Sequence, residues 1–96
     1  MITRHCFVRL SPAHATDAGR AAALAVARPL ADLPGLAVRL GIPADDTAAK
    51  WDLAIIVDAP SLDALAAARA TPAWQALDAH LEAHATVIKA WHFAAA

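Results

Sequence analysis

Residues 51–57 read Trp-Asp-Leu-Ala-Ile-Ile-Val, an apolar run interrupted only by Asp52. Closed by Asp58-Ala59-Pro60-Ser61, a run of this length is the pattern of a central strand buried on both faces. Everything else in the chain can be arranged around it. Upstream, Leu36 to Ile42 reads as a strand with Gly41 marking a bulge, and the small, polar Pro43–Lys50 segment reads as an exposed loop. Ile2 to Leu10 is rich in β-formers and ends at Ser11-Pro12, which makes it the first strand.

Between these strands, Thr16 to Asp32 carries Leu24, Val26 and Leu30 at helical spacing, with Asp17 placed where a carboxylate suits the helix dipole. Pro29 removes a backbone donor and is expected to distort the last turn, and Leu33-Pro34-Gly35 stops it. Downstream of the central run, Ser61 opens a helical piece that lasts to about Ala70. Thr71 then serves as N-cap and Pro72 as first residue of a second piece, with Trp74, Leu77 and Leu81 on one stripe. Thr86 to Phe93 is the last strand, and Ala94-Ala95-Ala96 frays. The order β-α-β-β-α-β predicts an α+β, ferredoxin-like fold: a four-stranded antiparallel sheet with its helices on one face.

Composition narrows the function. The chain has 96 residues, of which 59% are hydrophobic and 18% charged, with a net charge of −1. Eight Lys and Arg balanced by nine Asp and Glu give no basic run, so no nucleic-acid partner is expected. The single cysteine, Cys6, excludes a disulfide framework. No stretch is long and charge-free enough to span a membrane, and Met1 to His5 lacks a signal-peptide core, so a cytoplasmic protein is expected. Close to a third of the chain is alanine, which buries little area per residue, so self-association is a cheap source of stability. A sheet covered on one face only leaves a second apolar face. Cys6, Val8, Ala54, Ile56 and Ala90 are predicted there, packed against a second copy in a homodimer.

Arg4-His5-Cys6-Phe7-Val8, Leu33-Pro34-Gly35-Leu36, Trp51-Asp52-Leu53-Ala54, Thr71-Pro72-Ala73-Trp74-Gln75-Ala76-Leu77 and Trp91-His92-Phe93 follow one another in an order that resembles the stress-responsive dimeric α/β-barrel (Dabb) family over nearly the whole chain. The resemblance implies one Dabb-like domain over residues 1–96 and a dimer whose two sheets form a barrel. It implies no single activity, because the family holds proteins without known catalysis beside a few enzymes. In its plant polyketide cyclase, a strand-one histidine, a helix-two tyrosine and a histidine of a Pro-Ala-His segment carry the reaction. Here His5 matches the first, but Ala68 stands at the tyrosine position and Trp74 at the second histidine. That cyclisation mechanism therefore does not transfer, while the implied place, a pocket between sheet and helices, does.

Alternation along the strands predicts a pocket face bearing Thr3, His5, Phe7 and Arg9, then Trp51, Leu53, Ile55 and Val57, then Val87, Lys89, Trp91 and Phe93. Leu24, Leu65, Trp74 and Leu77 would roof it. The ligand-binding set is thus Phe7, Arg9, Trp51, Ile55, Trp74, Leu77, Lys89 and Trp91, suited to a planar apolar, aromatic or polyketide-like molecule. His5 is either a histidine bonded to backbone or a general base. Arg9 either lays its stem along the strand end or joins Lys89 to hold an anionic group. Asp52 and Asp58 are expected to pair with Arg4. His80 and His84 share a helical face; a solvent-facing pair is expected rather than a metal grip, since the intervening Glu82 is misplaced for a zinc motif and no third ligand is evident. Cys6 reads as a small buried apolar residue. Glycine-rich phosphate loops and serine elbows are absent, so neither a cofactor nor a metal is expected. The expected function is a dimeric barrel domain of unassigned activity that binds a small apolar ligand. The alternative is a cofactor-free enzyme, of polyketide cyclase, isomerase or monooxygenase type, with His5 as base.

Overall fold

The computed structural model describes residues 1–96. Its strands are β1 (Ile2–Leu10), β2 (Ala37–Gly41), β3 (Leu53–Ala59) and β4 (Ala85–Ala94), and its helices are α1 (Asp17–Ala27), α2 (Leu62–Arg69) and α3 (Pro72–His84). The sheet order is β2-β3-β1-β4 and every pair is antiparallel. This is the ferredoxin-like arrangement, an open four-stranded sheet with its helices on one side.

Local chemistry explains the boundaries. The Thr16 hydroxyl accepts the Gly19 N–H at 3.0 Å and starts α1. Pro29 converts the end of that helix into a 3₁₀ turn over Arg28–Asp32, and Gly35, at φ +76°, takes the left-handed conformation that releases the chain into β2. Ser61 caps α2 through the Ala64 N–H. Thr71 caps α3, with Pro72 following, as the sequence predicts. From His84 the chain passes straight into β4 with no loop.

The register decides which side chains share a face. Cys6 pairs with Ile55, Val8 with Leu53 and Arg4 with Val57, so even positions of β1 lie beside odd positions of β3. Between β1 and β4 the parity is the same on both strands: His5 faces Trp91 and Phe7 faces Lys89. Cys6, Val8, Leu10, Leu53, Ile55, Val57 and Ala59 are buried under Ala23, Ala27, Leu30, Leu65, Trp74, Leu77 and Leu81. Each large aliphatic side chain so covered contributes about 1.5–3 kcal/mol. The alanines of α1 bring that helix close to its neighbours.

Three expectations are corrected by this register. Cys6 and Val8 belong to the core and Ala90 to the helix side, so only Ala54 and Ile56 of the predicted outer set lie on the uncovered face. The central strand begins at Leu53 rather than Trp51, and it alternates buried with half-buried residues because one of its faces has no helices over it. Asp52 precedes the strand. Its buried carboxylate accepts the Leu10 N–H at 2.7 Å and pairs with Arg20 at 3.1 Å, while Asp58 accepts from Thr3 at 2.6 Å and Arg39 at 3.4 Å. Neither aspartate meets Arg4.

Candidate functional site

The predicted site residues divide between the two faces of the sheet. Ile55, Trp74 and Leu77, with the roofing Leu65, lie in the helix-side core. His5, Phe7, Arg9, Lys89 and Trp91 lie on the uncovered face, and Trp51 joins them through its ring, 5.7 Å from that of Phe7. A pocket between sheet and helices is therefore not built from this set. The cavity bordered by Cys6, Ile55, Trp74 and Leu77 measures about 30 Å³, well below the roughly 150 Å³ of a cavity known to take up benzene. That layer is filled.

At the helix-side position where the family resemblance asks for His5, the strand presents Arg4. Its Nη1 donates to His92 Nε2 at 2.8 Å, and its guanidinium carbon lies 5.8 Å from the centre of the Trp74 ring. Burial depresses the Arg4 pKa, and the nearby Arg69 charge adds to the effect. His92, desolvated and beside the cations Arg4 and Arg69, is held below the ordinary histidine value. It therefore accepts from Arg4 as the neutral ring. Sequence reading misses this pair, because only the β1–β4 register brings residues 4 and 92 together.

The uncovered face carries a shallow, open aromatic cleft of about 450 Å³ walled by His5, Phe7, Trp91 and Phe93, which a covering surface would have to close to enclose a small molecule. His5 meets Phe93 edge-on at 5.5 Å, and Phe7 lies 5.8 Å from Trp91. Trp91 and Phe93 are 45% and 58% exposed, an unusual state for aromatic side chains on neighbouring strand positions. His5 is half-buried, and neither ring nitrogen is bonded to backbone or side chain. Beside it a smaller apolar niche of about 90 Å³ is bounded by Phe7, Ile42, Pro43 and Trp51.

Arg9 and Lys89 share this face but are not opposed: Lys89 is the partner of Phe7, and Arg9 that of Val87. Arg9 instead borders a separate pocket at the end of β1 together with Lys50 and Arg20. His80 and His84 are not a solvent-facing pair either. Both are partly buried, His84 Nδ1–H donates to the His80 carbonyl at 2.8 Å, and the His14 ring packs edge-on against His84 at 4.2 Å. No three His, Cys, Asp or Glu side chains are arranged to hold a metal ion.

No family model matches the chain, and no curated protein matches it. Solved structures do. A dimeric ferredoxin-like protein of unknown function from Thermobifida fusca superposes with a TM-score of 0.86 at 21% identity, covering 98% of this chain and 90% of that one. Another so described, from Jannaschia, gives 0.80 at 20% identity, with 98% of each chain covered. A proposed antibiotic biosynthesis monooxygenase from Nitrosomonas europaea gives 0.81 at 11% identity, covering 99% and 98%. At these identities the likeness speaks for architecture alone, and by that measure the chain has the ferredoxin-like fold that the first two, both described as dimeric, share.

Proposed function

We propose that residues 1–96 form a stress-responsive dimeric α/β-barrel (Dabb) domain that works as a homodimer, its uncovered sheet faces packed together around a small planar apolar or aromatic ligand. The observation that carries this reading is the cleft of His5, Phe7, Trp91 and Phe93 on the face without helices. Exposed aromatic rings on a small, alanine-rich domain are stabilised by a covering apolar surface, and a second identical sheet supplies one. The description of several structural neighbours as dimeric supports the same arrangement, and the order of the sequence motifs supports the family. The ligand place moves from the helix side to the sheet side, because the layer between Cys6, Ile55, Trp74 and Leu77 is filled.

Sedimentation velocity is expected to give a dimer. Naphthalene-2-carboxylate is expected to quench tryptophan fluorescence saturably in the wild type and not in Trp91→Leu. A monomer whose fluorescence the probe leaves unchanged would refute the reading.

A second reading, a cofactor-free enzyme with His5 as general base, is favoured by the unbonded His5 nitrogens inside an aromatic cleft. It requires that His5→Ala abolish turnover while leaving the far-ultraviolet circular dichroism unchanged; a variant with undiminished turnover removes His5 from the chemistry.

A further inference from the structure

A pocket of about 410 Å³ opens at the end of the sheet, where β1 runs into the loop before α1. It is bordered by Arg9, Arg20, Lys50, Asp52 and Thr86. Three cations thus surround it against one carboxylate, and that carboxylate is already committed. Asp52 uses one oxygen for the Leu10 N–H and the other for Arg20, whose second nitrogen takes the exposed Asp17 at 3.2 Å. Arg9 and Lys50 form no ion pair. Arg20 Nε is buried and has no acceptor, so the Arg20 bonds are made by its two terminal nitrogens alone. The pocket therefore presents two unbalanced positive charges, the exposed Arg9 and Lys50, beside the Arg20–Asp52 pair.

We propose that this pocket binds a small oxyanion, a phosphate or a carboxylate. A guanidinium offers a planar fork to such a group, an ammonium adds a point charge, and the bonds formed are charge-assisted. Asp52 does not oppose the ligand, because its charge is neutralised by Arg20. The site is built by three segments distant in sequence, which is why no local motif announces it. None of its lining residues belongs to the aromatic cleft, although Arg9 stands on the same uncovered face.

The test compares the wild type with Arg9→Gln/Lys50→Gln by thermal denaturation and isothermal titration calorimetry, using inorganic phosphate, succinate, and chloride at matched ionic strength. Neither replaced side chain makes an ion pair or side-chain hydrogen bond, so the ligand-free melting temperature of the variant is expected to equal that of the wild type. Succinate has no ring, so its binding cannot be confused with occupation of the aromatic cleft. Saturable binding of phosphate or succinate, with a rise in melting temperature of about 5 °C and an affinity lowered about tenfold or more in the variant, supports the site. A response to phosphate alone identifies a phosphate site, and a response to succinate alone a carboxylate site. Absence of a saturable response to both anions, or an equal response in the variant, overturns the proposal.

Discussion

The carboxylate of Asp52 and the guanidinium of Arg20 lie 3.1 Å apart and tie α1 to the start of β3, while the same carboxylate holds the backbone of Leu10. One side chain thus fastens two strands and a helix at one end of the sheet. Asp52→Asn keeps an acceptor for Leu10 and loses the charge facing Arg20, and Asp52→Ala loses both. Arg20 is about a quarter exposed, so solvent softens the effect. Losses of about 1–2 kcal/mol for Asn and about 3 kcal/mol for Ala are expected in urea unfolding; equal losses would show that the backbone bond carries nothing.

Gly19 lies in the first turn of α1, where alanine ordinarily stabilises a helix by about 0.5–1 kcal/mol. Here a Cβ would stand 1.7 Å from the carbonyl oxygen of His14. Gly19→Ala is therefore expected to destabilise the fold by about 1–3 kcal/mol and to shift the His14 loop away from His84. A stabilised variant would show that the loop yields freely.

Ile56 sits at the middle of the uncovered face, opposite His5. Ile56→Asp is expected to give a folded monomer in sedimentation velocity, since the side chain is not part of the helix-side core. A persistent dimer would place the interface elsewhere.

His80 and His92 both titrate below the ordinary histidine value. For His80 the causes are loss of water, then His84, then His14; for His92 they are loss of water, then Arg4, then Arg69. The folded chain then binds fewer protons than the unfolded one just below the unfolded value of about 6.5, so stability rises with pH there. Unfolding midpoints are expected to be highest above about pH 6.5 and to fall as the pH drops below it. His84→Gln should make that slope shallower, and an identical slope would remove the histidine cluster from the effect.

Burial pushes the Cys6 thiol pKa up, so little thiolate forms at neutral pH. Ellman's reagent is expected to label Cys6 only after unfolding; rapid labelling of the native protein would mean that the core opens.

The elements were legible where single residues dictate them: Pro29 shortening α1, Thr71-Pro72 starting α3, Ser61 capping α2. The division of site residues between faces was not. Alternation orders residues within one strand, but the parity between strands depends on which residue stands opposite which. Nothing near Ile55 in sequence says that it faces Cys6 rather than His5. The pairing of β1 with β4 was read correctly for His5, Phe7, Lys89 and Trp91 because those two strands share parity. His14 joining His80 and His84, and Lys50 joining Arg9, arise from loop placement, for which the local sequence carries no periodic signal.

In the register, Ile2 stands opposite Ala94, so β1 is completed on this edge by a strand made some eighty residues later. At about 5–20 residues per second, residues 2–10 wait roughly 4–17 s for β4 to exist. During that interval β1 has its β3 edge and its helix cover available, but its other edge stays unpaired. Contacts this remote in sequence also slow closure of the sheet. The unpaired β1 edge is thereby open to pairing with other chains until β4 closes it.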